Sequence, residues 1–371
     1  MKKPIIVLTI ILFLLIPSIS SAKSRGTTAA TFFKISPGAR SAGMGKAYVA
    51  IADDSEALFY NPSGLALLSK DELLFTHLNW LAETKYECLT YAFSPEVFSG
   101  KIGIGLIYLH NDQIKYTSNG PSWEEKDGYF KFYDYGLVLS YGRKLNKLIS
   151  VGSNIKFFQE GTNLKGDLSY KTPLNFIFDT GILFKRNSLS LGLCLQNIGP
   201  AAKYKEAKID LPFKVKFGLC YKKFDDRLRI ALDLSKPNDH KVSFNLGLEY
   251  VLLKLVSLRA GFFKDEDDDS KNFTLGGGFK FKNYYLDYAY TPHQDLGDVQ
   301  RISFCLKGSY QEFWKEWEEK KEIKERKKIR ILLEKKGIKK DKVKDQEKED
   351  QEEGKEDRWK ELEKRYLKKY E

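Results

Sequence analysis

Val242-Ser-Phe-Asn-Leu-Gly-Leu-Glu-Tyr250 decides the fold. Large apolar side chains stand at every second position, and Ser243, Asn245, Gly247 and Glu249 fall between them. A period of two sends successive side chains to opposite faces of a sheet. The pattern recurs on both sides of this stretch. Phe273, Leu275, Gly277, Phe279 and Phe281 alternate with Thr274, Gly276, Gly278 and Lys280. Phe213 to Tyr221 alternates with lysine, glycine and cysteine, and Leu228, Ile230, Leu232 and Leu234 alternate with Arg229, Ala231, Asp233 and Ser235. From 71 to 307 the spacing predicts about fourteen such strands, an even number, as a closed antiparallel barrel requires.

A soluble sandwich alternates too, so the connections decide between the two. Those at 111–129, 161–173, 198–209 and 264–271 are long; those at 143–146, 186–187, 223–226 and 282–283 are short. The first, 82–84, breaks the rule. Long and short connections in turn are the mark of an outer-membrane barrel with short periplasmic turns. The expected fold class is therefore all-β, a transmembrane antiparallel barrel with both chain ends on the periplasmic side. Energetics fix the register: Val256, Leu258, Ala260 and Phe262 face lipid, which sends Arg259 inward. An arginine at the middle of the lipid face costs about 2–4 kcal/mol.

The averages hide this pattern. Across 371 residues, 30% are charged and the net charge is +12, with a mean hydropathy of -0.43. The charge, however, is concentrated after residue 310. Aromatics reach 14%, with 21 Tyr and 25 Phe, which suits membrane–water boundaries and soluble all-β proteins alike. At the start, Lys2 and Lys3 precede an apolar run from Ile5 to Ile16, then Pro17 and small residues to Ala22. This predicts a secretory signal at 1–22; a retained anchor is the alternative. The remaining expected organisation is a hatch or plug at 23–70, the barrel at 71–310 and a charged tail at 311–371. The tail reads either as two amphipathic helices joined by 341–353 or as a solvated disordered segment.

No catalytic, metal or cofactor constellation is expected. Cys88, Cys194, Cys220 and Cys305 lie far apart, each inside a strand-like segment, and read as packing residues. The acidic run 265–269 lacks the glycine and terminal glutamate of a calcium loop. Gly45-Lys46 fails as a phosphate loop, because Ala47 stands where serine or threonine is needed. His77, His110, His240 and His293 are isolated. The chain is not expected to be an enzyme, and no nucleic-acid motif accompanies its positive charge.

Between the signal and the first strand lie Gly38-Ala-Arg-Ser-Ala-Gly-Met-Gly45, Ala52-Asp-Asp54 and Asn61-Pro-Ser-Gly-Leu65. These pieces resemble the N-terminal signature of the PorV/PorQ family, relatives of the FadL-type outer-membrane transporters. Ser63 departs from the family's usual alanine. The likeness continues through Ser140-Tyr-Gly-Arg-Lys-Leu145, Leu195-Gln-Asn-Ile-Gly-Pro200, Leu234-Ser-Lys-Pro237 and Leu286-Asp-Tyr-Ala-Tyr-Thr-Pro292, and spans about 34–308. It implies a barrel with the Asn-Pro segment folded inside as a hatch; a plug without gating is the alternative.

The expected hatch residues are Gly38, Arg40, Gly43, Gly45, Asp53, Asp54, Asn61, Pro62 and Gly64. The glycines suit close passage of backbone and positive φ, Pro62 fixes a turn, and Asp53 and Asp54 suit a helix start or pairing with lumen cations. Family members differ in role. The resemblance implies transport of hydrophobic compounds, or accessory binding of a secreted cargo protein in type IX-like secretion through outside loops such as 111–129. An envelope structural protein is the third reading. The partners expected are outer-membrane lipid, hydrophobic small molecules or cargo, and a periplasmic partner for the tail.

Overall fold

A computed structural model describes residues 27–308, apart from 82, 96, 98, 113, 116–128, 164–168, 240, 265–271 and 294–296, together with some residues between 317 and 328. The chain divides into two units, Met1–Ser309 and Tyr310–Glu371. In the second, the described residues are helical and Lys321 Nζ lies 5.3 Å from the ring centroid of Trp317. The predicted signal, the acidic run 265–269, most of the loop 111–129 and nearly all of the tail fall outside the described residues.

The first unit is a closed barrel of fourteen antiparallel strands. They are β1 (Glu72–Asn79), β2 (Thr84–Phe93), β3 (Lys101–Asn111), β4 (Tyr129–Lys144), β5 (Ile149–Asn163), β6 (Asn175–Arg186), β7 (Leu189–Ile198), β8 (Lys214–Lys223), β9 (Leu228–Pro237), β10 (Ser243–Leu252), β11 (Val256–Lys264), β12 (Asn272–Phe281), β13 (Tyr284–Thr291) and β14 (Val299–Lys307). Each pairs with its neighbour in sequence, and β1 closes on β14 from Glu72↔Lys307 to Asn79↔Gln300. Closure leaves no strand edge unpaired, which a wall facing hydrocarbon demands.

The register follows the sequence. Leu246 and Leu248 are exposed on β10 while Gly247 and Glu249 are buried. Leu258 is 52% exposed and Arg259 7%, so the arginine points inward as the lipid-face argument required. The outer wall is an apolar belt, including Phe75, Leu106, Phe178, Leu275, Leu286 and Phe304. All four cysteines are free and buried. The connections 145–148, 187–188, 224–227, 253–255 and 282–283 are short and share one end with the start of β1 and the finish of β14. The longest connections lie at the opposite end, where 80–83 and 238–242 are the shorter ones, and the seven-residue 94–100 lies at the short-turn end.

Residues 27–71 fill the lumen. Ala29 N donates to Asp210 O at 2.9 Å, and Asp210 lies in the connection 199–213 at the long-connection end. Residues 27–30 therefore start at the end opposite β1, and the chain runs through the lumen before its first strand. The physical reason is local: Thr28 and Ala29 satisfy their polar groups against 210 and Asp239, partners available only at that mouth.

Small residues on the inner wall make room for this segment. A Cβ on Gly247 would stand 2.5 Å from Met44 O, one on Gly192 2.4 Å from Val49 O, and one on Gly152 2.3 Å from Pro62 C. These glycines lie on adjoining or nearby strands in register, as in Gly152↔Gly181, Gly192↔Gly218 and Gly247↔Gly261, and make a girdle of bare backbone.

Gly261→Val tests the girdle. Its Cβ would sit 2.0 Å from Gly45 N, which is backbone and cannot step aside. The expected result is loss of the heat-modifiable folded band on electrophoresis, or proteolysis within 27–71 where the wild type resists. Gly277→Val, whose Cβ meets nothing within 4 Å, should behave as wild type.

Candidate functional site

The lumen segment contains little regular structure. Thr31–Lys34 and Pro62–Leu67 are 3-10 turns, and Ala39–Gly43 (α1) and Ala57–Tyr60 (α2) are single helical turns. Such a chain cannot satisfy its own backbone. Inward polar side chains of the barrel do so instead. Asp233 on β9 accepts from Tyr48 N at 2.7 Å and Val49 N at 2.9 Å. Asn154 on β5 donates to Leu58 O at 2.6 Å, and Gln196 on β7 donates to Phe59 O at 2.8 Å. Glu72 accepts from Ser55 N, Ser303 from Ala39 N, and Thr274 from Gly45 N, at 2.9, 2.9 and 3.0 Å. Arg301 donates to Ser36 O at 3.2 Å.

The nine expected hatch residues occupy three places along this path. Gly38 begins α1, where a Cβ would overlap the Glu56 carboxyl, and Gly43 packs against Gly276. Gly45 has φ 58°, which favours glycine. It is alone in this: Gly38, Gly43 and Gly64 are required by close approach and not by positive φ. Gly64 passes Ala52, whose carbonyl oxygen would lie 1.9 Å from an added Cβ. Asn61 caps the turn that begins with Pro62: its Oδ1 accepts from Ser63 N at 3.3 Å and from Ser63 Oγ at 2.6 Å, and its Nδ2 donates to Val49 O at 3.0 Å. The hydroxyl at 63 thus makes a contact that an alanine there would lack.

Arg40, Asp53 and Asp54 come together. Arg40 Nη1 lies 2.7 Å from Asp53 and 2.6 Å from Asp54, and Nε lies 3.1 Å from Glu249 on β10. Glu249 also meets Arg229 at 2.6 Å and Arg259 at 2.8 Å, and Arg259 meets Asp287 at 2.6 Å. The motif residues are therefore one half of a buried ionic cluster whose other half comes from β9, β10, β11 and β13. Burial alone would raise the Asp53 carboxyl, but Arg40, with Arg229 and Lys222, holds it far below the usual carboxylate range. Glu56 behaves oppositely: burial, and then the charge of Asp54, push its carboxyl up to about 8.

The segment separates two cavities. Toward the short turns lies one of about 410 Å³, walled by Arg40, Asp53, Glu249, Arg259, Asp287 and Lys307. Toward the long connections lies one of about 430 Å³, with Phe33, Phe59, Tyr60 and Trp80 among its walls and Lys34, Lys46, Lys214 and Lys216 around them. Lys216 Nζ stands 5.0 Å from the ring centroid of Tyr60, and Lys46 Nζ 3.9 Å from that of Phe263, within cation–π reach. The mouth cavity sets aromatic faces beside cations; the other sets its charged groups beside Leu74, Val251, Phe279 and Tyr285.

Comparison with known proteins agrees with the fold. Residues 15–167 match a family described as an uncharacterised protein family, UPF0164. No curated protein matches the chain. Among solved structures it is similar to the toluene transporter TodX of Pseudomonas putida, with TM-score 0.55 and 13% identity over 74% of this chain and 99% of that one. It is similar also to the toluene transporter TbuX of Ralstonia pickettii, with TM-score 0.53 and 14% identity over 73% and 98%. The chain shares their barrel fold. At such identities, fold is what the likeness shows.

Sequence reasoning missed the inward anchors Asp233, Asn154, Gln196, Glu72, Arg301 and Glu249. A signal was present: each is polar at an inward position of an alternating strand, where an empty aqueous lumen would tolerate any polar residue. Alternation does not say which of them meets the segment.

Two outcomes follow. Arg40→Gln leaves Asp53, Asp54 and Glu249 facing one another without their shared cation, and should cost about 3–5 kcal/mol, read as a large fall in thermal midpoint. Glu56→Gln should change pH dependence instead. The wild-type carboxyl keeps its proton in the folded state up to about 8, against 4.5 when unfolded. Between those values the unfolded chain binds fewer protons, so stability falls as pH rises through the window. The variant should flatten that slope in thermal melts from about pH 5 to 8; an unchanged slope assigns it to another group.

Proposed function

We propose that this chain is an outer-membrane barrel of the PorV/PorQ, FadL-like type that transports hydrophobic compounds and has no catalytic role. The mouth cavity is the single observation that supports the reading most: aromatic rings at the floor of a lumen sealed below by a segment packed against the barrel wall. A water-filled porin has no use for such a floor. A pocket that sets aromatic rings beside lysines and other placed polar groups suits a compound with an apolar body. The toluene transporters that share the fold support the same direction. The short turns then face the periplasm, and the lumen segment acts as the hatch between mouth and periplasm.

The finer assignment to the PorV/PorQ type is supported by the quoted motifs, which fall on the segment's close contacts and on its ionic cluster. The accessory role in cargo secretion rests on a loop that lies mostly outside the described residues, and no observation favours it over transport.

Uptake tests this. Cells expressing the chain should accumulate a labelled monoaromatic hydrocarbon or a longer-chain apolar compound faster than cells with empty vector. Ser243→Trp, which fills the mouth cavity from β10, should reduce that uptake about tenfold or more while leaving the folded band intact. Uptake equal to empty vector for every apolar compound tested removes the transport reading.

A further inference from the structure

Three of the five short connections carry large apolar residues, which are unusual for turns in water. Tight turns favour glycine, asparagine, aspartate and serine. Here 145–148 reads Leu-Asn-Lys-Leu, 253–255 reads Leu-Lys-Leu, and 224–227 opens on Phe224. Leu253 is 86% exposed, Leu145 59% and Phe224 58%. Phe224 and Leu253 also hold φ of 55° and 50°, a left-handed region disfavoured for large L side chains. The fold tolerates this strain at positions where asparagine or glycine would relieve it, and the side chains it keeps exposed are apolar.

A cation accompanies each of them. Lys147 stands beside Leu148, Lys223 beside Phe224, Lys254 between Leu253 and Leu255, and Lys282 after Phe281. Lys223 Nζ lies 4.9 Å from the ring centroid of Phe224, and Lys282 Nζ 5.8 Å from that of Phe281. Among the described residues, Lys147, Lys223, Lys254 and Lys282 form no ion pair with an acidic side chain. Toward the middle of the wall come Tyr141, Tyr221, Tyr250 and Tyr284, each 38–45% exposed on the outer face. Tyrosines at a boundary, apolar tips beside them and long cationic side chains reaching outward make the composition of a surface seated in a bilayer interface.

We propose that the short-turn end of this barrel is a ring-shaped binding surface for the anionic phospholipid headgroups of the leaflet it borders. Cations lacking acidic partners favour an anionic headgroup over a zwitterionic one. Leu145, Phe224 and Leu253 call for apolar surface as well, which the acyl edge of the same leaflet supplies and a hydrophilic acidic partner does not. The ring is also continuous with the belt already facing lipid, so one surface passes from hydrocarbon to headgroup without a break.

The experiment uses the full chain in nanodiscs of phosphatidylcholine, with and without about 30% phosphatidylglycerol. The thermal midpoint should rise by about 5 °C in the anionic discs, and about 0.5 M salt should cancel the rise. The variant K147Q/K223Q/K254Q/K282Q should melt like wild type in phosphatidylcholine and lose the rise in anionic discs. If the variant does not fold, the salt dependence of the wild type decides. Equal wild-type midpoints in the two lipids overturn the proposal, and so does a variant that keeps the whole rise. A photo-crosslinking residue in place of Leu253 provides the second arm: adducts to phospholipid support the lipid surface, and adducts to a soluble protein overturn it.

Discussion

The structure depends on one constraint: an irregular segment of backbone lies inside a closed sheet. The fourteen strands pair their main chains with one another, so the wall's backbone offers little to what it encloses beyond such contacts as Ile182 O, which accepts from Asn61 Nδ2 at 3.3 Å. Residues 27–71 are nearly without regular structure and are buried, and a buried peptide group left unpaired costs about 1–3 kcal/mol. The groups that the segment's own turns leave unpaired must therefore find other partners, and most of these are side chains. The inward polar residues of the barrel serve as the segment's missing secondary structure, and their identities follow from where its amides and carbonyls fall. Asp233 accepts two successive amides because the chain turns there at Tyr48 and Val49. Asn154 and Gln196 donate because α2 ends with carbonyls that lack partners.

From this the glycines acquire their meaning. Side chains that reach the segment need it at hydrogen-bonding distance, and backbone at that distance collides with any Cβ on the wall. The girdle through Gly152, Gly192, Gly247 and Gly261 is the steric counterpart of the hydrogen bonds. On the outer face the same strands are crowded with Leu and Phe, so wall thickness passes to the lipid side. The ionic cluster obeys the same logic. Arg40 brings one cation into the lumen against Asp53, Asp54 and Glu249, and the wall answers with Arg229 and Arg259. The segment's own share, Arg40 against Asp53 and Asp54, is one cation short, and Lys222 and Arg229 of the wall lie 3.9 and 3.7 Å from Asp53, which ties the segment to the wall.

Much of the barrel was legible in sequence, because its wall separates two solvents and a period of two records that directly. The strand at 242–250, the inward Arg259 and the rhythm of long and short connections needed only alternation and turn lengths. The lumen segment was legible as composition but not as conformation. Gly38, Gly43, Gly45 and Gly64 look alike in a string, yet only Gly45 uses its freedom at positive φ; the other three answer to Glu56, Gly276 and Ala52, contacts far from them in sequence or made by the fold. The direction of the chain at residue 27 was illegible for the same reason. It is set by partners at 210 and 239, about two hundred positions away, and no local rule connects them.

The two cavities show what this arrangement permits. An apolar compound resting against Phe33, Phe59 and Trp80 has below it the layer of Arg40, Asp53, Glu249 and Arg259, where it would have to separate paired charges to advance. Separating a buried pair leaves each charge without compensation, at a cost comparable to a large share of a domain's stability. Because Arg40 and Glu249 each hold several partners, the cluster resists opening one pair at a time. Any passage through the lumen must then displace the segment around Arg40 as a unit, taking the amides on Asp233 and the turn at Asn61 with it. The interactions that give this chain its folded lumen are therefore the same ones that any passage through it has to work against.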